Sequence, residues 1–348
     1  MINNYVLKES MMKAVLLEAG AINSGDLSWD KLEDICELTI FDNTTEDNKY
    51  EHIGDAEIVL VNKVIMDEEL FSRCPNIKYV GVCATGYNVI DLDAARRHGV
   101  VVTNVPAYST DSVVQLTWAM ILENACKLSM HNESVKNGDW VRSETFCYWK
   151  EPMMELAGKT LGIIGFGNIG SKVARLALDF GMNVLVSTAH PEKYDKKVKR
   201  INASYIDDND EVKDSSRLQL TTIDEVLSKS DIISLHCPMT DETDKIIRKE
   251  NINKMKDGVI LINVSRGGLV NEKDLADALN SGKVKAAAVD VVSVEPMKAD
   301  NPLLTAQNIT ITPHMAWASL EARERLVDVV ASNLKSFLDG EKQNVVNK

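Results

Sequence analysis

The sequence lacks the features that mark membrane, secreted and nucleic-acid-binding proteins. No run approaches the roughly 18 consecutive apolar residues of a membrane-spanning helix, and residues 1–10 lack the apolar core of a signal peptide. Basic residues are outnumbered, with 39 Lys and Arg against 52 Asp and Glu, and the net charge of -13 repels phosphate backbones and anionic lipid. We therefore expect a cytoplasmic protein that binds neither nucleic acid nor membrane.

Cysteines are also few, and no two of them have the spacing of a functional pair. The chain has six cysteines and no C-x-x-C pair of the redox or metal-binding type. Most fall in apolar segments, which predicts reduced core side chains and no metal site. The six are Cys36, Cys74, Cys83, Cys126, Cys147 and Cys237.

The chain does contain two series of short apolar strands that alternate with helix-length stretches. Its 348 residues exceed the size at which one hydrophobic core keeps growing, which favours two domains. The first series runs from Lys13 to about Val105, and the second runs from Lys159 to Thr312. This alternation predicts right-handed crossovers and parallel sheets, so the expected fold class is α/β with two Rossmann-like or flavodoxin-like domains.

Three segments outside these series have separate interpretations. Residues 109–136 carry apolar residues at helical spacing after a Ser-Thr-Asp cap, which predicts one long helix. Residues 195–217 are charged, rich in Asn and Asp and without periodicity, which predicts a long surface loop. Residues 1–10 precede a second possible start at Met11 or Met12, and we interpret them as an N-terminal extension.

A glycine pattern typical of dinucleotide binding opens the second series. Gly165-Phe166-Gly167-Asn168-Ile169-Gly170 directly follows an apolar strand and precedes a predicted helix, residues 171–180. The first glycine permits a tight turn, the second lets the backbone approach a pyrophosphate, and the third lets the helix pack closely on the strand. The helix N-terminus adds amide donors. The candidate cofactor contacts here are Gly165, Gly167, Asn168, Ile169 and Gly170.

The end of the next strand departs from the usual dinucleotide-binding pattern. An acidic residue usually stands there and binds the adenosine ribose, but this chain reads Ser187-Thr188-Ala189-His190. Thr188 can still hydrogen-bond a ribose hydroxyl, and without the repulsion of an acid a 2′-phosphate is tolerated, helped by His190 or Lys193. An exposed loop position without function is an equal alternative for His190. The expected cofactor is therefore NAD(H) or NADP(H), with the choice left open.

Three residues whose side chains suit the reduction of a carbonyl group follow apolar strands of the second series. They are Arg266, Glu295 and His314, and ligands bind at this carboxyl edge of a parallel sheet. Reduction of a 2-oxo acid by hydride needs a cation that holds the carboxylate and polarises the carbonyl, and a proton donor with a pKa near neutrality. Taken singly, each residue has an ordinary structural alternative, but their shared strand-end placement favours catalysis.

Together with the glycine fingerprint, these motifs resemble the D-isomer-specific 2-hydroxyacid dehydrogenase family, and the resemblance covers nearly the whole chain. It implies an oxidoreductase that transfers a hydride between NAD(P)H and a small 2-oxo acid to give a D-2-hydroxy acid. It further implies that Arg266 binds the substrate carboxylate and carbonyl, that His314 is the general acid/base, and that Glu295 orients His314 and raises its pKa.

The resemblance also gives roles to other segments. The substrate-binding residues that it implies are Ala84, Thr85, Gly86, Tyr87, Arg266 and Trp317, although Asn88 departs from the more frequent residue of the family. The further cofactor-binding residues that it implies are Thr188, Cys237, Pro238, Thr243, Val264 and Asp290. His236 belongs to the same cofactor-side loop as Cys237, so we do not count it as a second catalytic histidine.

The domain organisation that the resemblance implies is discontinuous. Residues 11–107 and 316–348 would form the substrate-binding domain, and residues 108–315 would form the NAD(P)-binding Rossmann domain. The predicted helix 319–338 would complete the first of these. The active site would lie in the cleft between the domains, whose closure would exclude water.

Within the family, the segments 106–113 and 314–319 look most like the glycerate dehydrogenase or hydroxypyruvate reductase branch. The expected substrate and product are hydroxypyruvate and D-glycerate, or glyoxylate and glycolate. D-lactate dehydrogenase and phosphoglycerate dehydrogenase are alternatives. A pocket distinguishes two substrates that differ by one small side group by only about 1 to 3 kcal/mol of binding free energy. A non-catalytic NADH-sensing corepressor is an alternative of another class.

Apolar surface along 109–136 and 140–149 favours a homodimer.

Overall fold

The computed structural model describes residues 11–205 and 217–348 and divides the chain into two compact units. Unit 1 comprises Met1–Ser109 and Trp317–Lys348, and unit 2 comprises Thr110–Ala316. These boundaries fall one or two residues later than those expected from the sequence. The expected N-terminal extension, residues 1–10, and residues 206–216 of the expected surface loop lie outside the described residues.

Both units consist of parallel strands joined by helices. The strands are β1 (Lys13–Leu16), β2 (Glu37–Ile40), β3 (Ile58–Val61), β4 (Tyr79–Val82), β5 (Val101–Thr103), β6 (Thr160–Ile164), β7 (Asn183–Ser187), β8 (Leu218–Leu220), β9 (Ile232–Leu235), β10 (Val259–Asn263), β11 (Val284–Val289) and β12 (Ile309–Ile311). The helices are α1 (Ala19–Ile22), α2 (Asp30–Glu33), α3 (Lys49–Ile53), α4 (Glu68–Arg73), α5 (Leu92–Arg97), α6 (Thr110–Cys126), α7 (Leu128–Lys136), α8 (Asn168–Asp179), α9 (Asp195–Ala203), α10 (Ile223–Lys229), α11 (Lys249–Lys254), α12 (Glu272–Ser281) and α13 (Leu320–Leu338).

Unit 1 contains a five-stranded parallel sheet in the order β2-β1-β3-β4-β5. The central strands β3 and β4 are buried at every position, as expected for apolar strands covered on both faces. The C-terminal helix α13 begins where the Ser319 hydroxyl accepts a hydrogen bond from the Ala322 amide, at 3.3 Å. Its apolar side is buried with residues of β1, β3 and β4, so the helix predicted over 319–338 is confirmed.

Unit 2 contains a seven-stranded parallel sheet in the order β12-β11-β10-β9-β6-β7-β8. The chain proceeds outward from β6 to β8 and then returns to place β9 on the other side of β6. The carboxyl ends of β6 and β9 therefore form the point of reversal at which dinucleotides bind in this architecture. The expected fold class, two α/β domains with parallel sheets, is confirmed.

Two predictions of secondary structure were wrong. The long helix over 109–136 is divided into α6 and α7, because Lys127 adopts a left-handed backbone conformation with φ of 53°. A single left-handed residue leaves the apolar spacing on either side intact, so the sequence pattern gave no sign of the break. Residues 195–203, expected in a surface loop, form α9, whose Val198 and Ile201 are buried in the core of unit 2.

The cysteine prediction was correct in part. All six cysteines are free, and four are buried, but Cys126 and Cys147 are exposed.

Within the described ranges, no helix has the length and apolar character needed to cross a membrane. The same residues contain no group of three or more His, Cys, Asp or Glu side chains placed to hold a metal ion.

Candidate active site

The glycine fingerprint forms the turn between β6 and α8, and the structure gives each glycine a distinct steric role. Gly165 has φ of 98°, and a Cβ there would lie 2.5 Å from the Cys237 nitrogen. A Cβ on Gly170 would lie 2.2 Å from the Gly165 oxygen, whereas a Cβ on Gly167 would meet no atom of the described residues within 4 Å. Gly165 and Gly170 are thus required by packing, while the backbone at Gly167 faces open space.

This open space fits the pyrophosphate of a dinucleotide. Gly167 is the N-cap of α8, and no side chain caps that end of the helix. The first amides of a helix have no partner within it and, with the helix dipole, attract an anion. Residues Gly167, Asn168 and Ile169 would hold the group, and a cofactor bound here would supply the hydride for a redox reaction.

The loop after β9 lies against the fingerprint from the neighbouring strand. The His236 amide donates to the Ile164 oxygen at 2.7 Å, and the Ser265 hydroxyl donates to the Cys237 oxygen at 2.6 Å. The Thr243 hydroxyl donates to the Pro238 oxygen at 2.8 Å and so closes the following turn. The cofactor-side residues expected from the sequence are therefore joined to both β6 and β10.

His236 lies in this loop as a neutral side chain. Its Nε2 is 2.9 Å from the Ser234 hydroxyl, and burial lowers the pKa of His236 to about 3. A histidine that stays neutral at physiological pH has no proton to deliver to a developing alkoxide. This supports leaving His236 out of the catalytic set.

The three expected catalytic residues all lie in unit 2, at the carboxyl ends of β10, β11 and β12. These strands are neighbours, and Asn263, Val289 and Ile311 are in register across them. The loop after β10 contains Arg266, the loop after β11 contains Glu295, and His314 follows β12. The sequence separates these residues widely, but the sheet order brings their loops to one edge.

Glu295 and His314 form a hydrogen-bonded pair. His314 Nδ1 lies 2.7 Å from Glu295 Oε2, and each side chain is 31% exposed. The other carboxylate oxygen of Glu295 accepts from the Val292 amide at 3.2 Å. Because an ionised carboxylate only accepts hydrogen bonds, Nδ1 must carry the proton, which leaves Nε2 for exchange with a substrate.

Asp290 positions the segment that contains His314. Its side chain is 1% exposed, and its Oδ1 accepts from the Thr312 hydroxyl at 2.5 Å and from the Met315 amide at 2.9 Å. Oδ2 accepts from the Ala316 amide at 2.8 Å, and the backbone oxygen of Asp290 accepts from the His314 amide at 2.7 Å. The sequence associated Asp290 with the cofactor but gave no sign of these contacts.

Two further residues support the loop of Glu295, and the sequence interpretation missed both. Glu272, at the start of α12, accepts from the Ser293 amide at 2.7 Å, the Ser293 hydroxyl at 2.8 Å and the Asn301 side chain at 3.0 Å. Gly267 lies so close to Val292 that a Cβ would be 1.9 Å from the Val292 carbonyl carbon. The Ser-Arg-Gly-Gly sequence around Arg266 was the available signal for this second contact.

Arg266 is an exposed cation just after β10. Its Nη1 donates to the Ser265 oxygen at 2.7 Å, and its own backbone oxygen accepts from the Asn263 side chain at 2.9 Å. In the described part of the chain, no carboxylate forms an ion pair with it. Its charge is therefore available to an anionic ligand, and the guanidinium geometry suits a carboxylate.

The expected substrate loop follows β4 in unit 1. The Thr85 hydroxyl donates to the Val105 oxygen at 2.8 Å, and the Asn104 side chain donates to the Thr85 oxygen at 2.8 Å. These bonds fix the loop, while Tyr87 at its end is exposed. Trp317, also in unit 1, packs edge-on against Tyr108 with ring centroids 6.4 Å apart.

Comparisons with known proteins identify the family of this chain. The family profile described as "D-isomer specific 2-hydroxyacid dehydrogenase, NAD binding domain" matches residues 118–316. A hydroxypyruvate reductase of Blautia hydrogenotrophica is 46% identical over 97% of this chain and 100% of its own length. A glycerate dehydrogenase of Methylorubrum extorquens is 36% identical over 87% of this chain and 89% of its own.

Solved structures give the same result. The D-lactate dehydrogenase of Aquifex aeolicus, complexed with NAD and lactic acid, is 30% identical with a TM-score of 0.75, covering 94% of this chain and 96% of its own. The fold and the fingerprint define a nicotinamide-dependent oxidoreductase. The chain belongs to the D-isomer specific 2-hydroxyacid dehydrogenase family.

Proposed function

We propose that this protein reduces hydroxypyruvate to D-glycerate, with glyoxylate as a second substrate, and that Arg266, Glu295 and His314 are the catalytic residues. The observation that carries the proposal is the 2.7 Å contact between His314 and Glu295, at the same sheet edge as the exposed cation of Arg266. The relatives named hydroxypyruvate reductase and glycerate dehydrogenase support the choice of substrate.

Arg266 binds and activates the oxo acid in this proposal. Its guanidinium holds the substrate carboxylate and lies near the adjacent carbonyl oxygen, where negative charge develops during reduction. The exposed position of Arg266, without an ion pair to a described acid, means that substrate does not have to displace an internal partner. The loop of Ala84, Thr85, Gly86 and Tyr87 is also part of this proposal, as a substrate-binding segment that acts through its backbone amides.

His314 delivers the proton. The reduced nicotinamide, when bound, supplies the hydride that C2 of the oxo acid receives. Glu295 holds Nδ1 of His314, so Nε2 donates its proton to the carbonyl oxygen as that oxygen becomes a hydroxyl. After the step the imidazole is neutral, and it takes up a new proton from solvent before the next turnover.

Cofactor oxidation with a panel of 2-oxo acids tests this function. We expect turnover to be highest with hydroxypyruvate, lower with glyoxylate, and lowest with pyruvate and 2-oxoisocaproate. A preference for pyruvate would assign the chain to the D-lactate branch, and a preference for phosphohydroxypyruvate to the phosphoglycerate branch. If the dinucleotide binds but no oxo acid is reduced, the protein is a sensor of the corepressor type and the proposed chemistry is wrong.

The proposal includes a homodimer. Unit 2 exposes large apolar side chains along residues 128–153, with Phe146 89% exposed and Trp149 65% exposed. Apolar groups clustered in this way mark interaction surfaces, and a second copy of the chain is the simplest partner. Sedimentation at micromolar concentration should give twice the 38.6 kDa of one chain, and a 38.6 kDa species alone would contradict it.

We also propose that the protein works in the cytoplasm. The six free cysteines support this location, because thiols persist in a reducing compartment. Fractionation of the native cells, followed by assay of hydroxypyruvate reduction, would test it.

A further inference from the structure

Residues 344–347, which we call the C-terminal strap, lie along β5, the edge strand of the sheet in unit 1. The Val346 amide donates to the Val102 oxygen at 2.9 Å. The buried side chain of Asn347 accepts from the Val102 amide at 3.0 Å and donates to the Val100 oxygen at 2.7 Å. This end of the strap therefore covers hydrogen-bonding groups that an edge strand otherwise leaves open.

The first residue of the strap, Asn344, lies beside Asn104, which directly follows β5. The Asn104 amide donates to the Asn344 oxygen at 3.3 Å. The side chain of Asn333, on α13, donates to the Asn104 oxygen at 2.9 Å and accepts from the Asn344 side chain at 2.9 Å. Asn104 and Asn333 are buried, so the loss of one partner leaves a polar group unsatisfied. Both backbone groups of Asn104 are thus held by asparagines of α13 and the strap.

The side chain of Asn104 extends this support to the expected substrate loop, residues 84–87. Its Nδ2 donates to the Thr85 oxygen at 2.8 Å. The next residue, Val105, donates from its amide to the Ala84 oxygen at 3.0 Å and accepts from the Thr85 hydroxyl at 2.8 Å. Three hydrogen bonds therefore join this loop to residues that the strap and α13 hold in place.

The three asparagines form a chain of hydrogen bonds that runs in one direction. A backbone oxygen only accepts, so Asn104 must turn its amino group to Thr85, and Asn333 must turn its amino group to Asn104. The side-chain oxygen of Asn333 then faces Asn344, which donates to it. Buried amides joined in this way polarise one another. The bonds of Asn347 suffice to cover β5, whereas those of Asn344 and Asn333 end at the residue that holds the loop.

We propose that Asn104 is a positioning residue for the substrate loop, and that Asn333 and Asn344 fix its position, so that the affinity for the oxo acid depends on the first residue of the strap. The inference rests on the proposed function in one respect, that residues 84–87 bind the substrate carboxylate. This carboxylate is the same in the bound substrate and in the transition state, so the loop binds both equally. Displacement of the loop therefore raises KM for the oxo acid and leaves kcat largely unchanged.

Two variants and a matched control test the inference. Asn104→Ala should raise KM for hydroxypyruvate by roughly 5- to 10-fold, since the loop loses one hydrogen bond. Asn344→Gly should raise it by roughly 3-fold, because only the donor to Asn333 is lost, and glycine tolerates the backbone φ of 52° at this position. Asn347→Ala removes a buried asparagine from the same strap and should change KM by less than about 1.5-fold. In all three variants kcat should stay within about 2-fold.

Two further measurements on the full-length protein require no turnover. Hydrogen exchange followed by mass spectrometry should be faster at residues 84–90 in Asn104→Ala and Asn344→Gly, whereas Asn347→Ala should accelerate exchange only at β5 and the strap. Oxamate is an unreactive analogue of a small 2-oxo acid. Its dissociation constant, measured by calorimetry on the protein saturated with reduced cofactor, should rise by the same factor as KM.

Each outcome decides the question. The inference is wrong if Asn104→Ala leaves KM, oxamate binding and loop exchange unchanged. It is also wrong if Asn347→Ala raises KM as much as Asn104→Ala does, because a general loss of stability would then explain both. If circular dichroism shows that Asn104→Ala has not folded, Asn344→Gly decides alone, since that side chain is only half-buried.

Failure of the inference and failure of the proposed function give different results. A protein that reduces no oxo acid, but whose oxamate binding is weakened by Asn104→Ala, would retain the inference and contradict the proposed function. A wild type that neither reduces an oxo acid nor binds oxamate would contradict both.

Discussion

A methyl group added at Gly267 should separate the two loops that contain Arg266 and Glu295. The new Cβ would lie 1.9 Å from the Val292 carbon and 2.5 Å from the Ser293 nitrogen, and both are backbone atoms that no rotamer change can move. An ordinary contact begins at 3.4 Å, so the loops must move apart by about 1.5 Å. Misplacement of catalytic groups by about 1 Å costs roughly 100-fold in rate.

Gly268 provides a matched control, since the neighbouring position receives the same methyl group. A Cβ there would lie 2.5 Å from the Met239 sulfur, and Met239 is a flexible, half-exposed side chain that can turn away. We expect kcat/KM for hydroxypyruvate to fall at least about 100-fold in Gly267→Ala and no more than about 5-fold in Gly268→Ala. Both variants should still bind the dinucleotide, as measured by fluorescence quenching.

The outcome that would refute this reasoning is specific. If Gly267→Ala keeps nearly full activity, the approach of the two loops does not position the catalytic residues. If both variants lose activity equally, the loss reflects a general effect on the loop after β10. Thermal unfolding of both proteins separates these results from misfolding.

Three further predictions concern side chains of unit 2. Glu295→Gln should lower kcat by roughly 10- to 100-fold, because it removes a charge-assisted hydrogen bond to His314. An unchanged kcat would contradict a catalytic role for this hydrogen bond. Glu272→Gln should lower kcat by about 3- to 10-fold with little change in cofactor KM, since Ser293 loses a charged acceptor; an effect on KM alone would contradict a positioning role. Because burial lowers the pKa of His236 to about 3 from 6.5, the unfolded chain binds more protons below pH 6.5. The contribution of His236 to the free energy of unfolding is therefore complete above about pH 6.5, and it falls by about 1 to 2 kcal/mol by pH 5. Urea unfolding of His236→Gln should lack this part of the pH dependence, and equal pH dependence in both proteins would contradict it.

The sequence predicted the fold class because its signals are local. Strand-length apolar runs and the context of Gly165 indicate parallel α/β domains without any knowledge of tertiary contacts. The break at Lys127 depends on one backbone angle, which the apolar spacing does not encode. Helix α9 was missed because its charged residues obscure a short apolar face, formed by Val198 and Ile201.

The candidate active site could likewise be predicted only in part from the sequence. The residue types of Arg266, Glu295 and His314, together with their placement after strands, could be predicted from the sequence, and the strand order places their loops at one edge. The support of those loops could not be predicted. The contacts of Asp290 with the segment after β12 and of Glu272 with Ser293 join residues more than 20 positions apart. No periodicity or motif connects such partners.

The central claim is that His314 delivers the proton in the reduction of a 2-oxo acid. The most direct measurement compares hydroxypyruvate reduction by the wild type and by His314→Gln, with the dissociation constant of the reduced cofactor measured for both proteins. The account predicts that kcat falls by roughly 100- to 10,000-fold in the variant while cofactor binding is unchanged. Retention of kcat within about 3-fold would show that another group delivers the proton and would contradict the account.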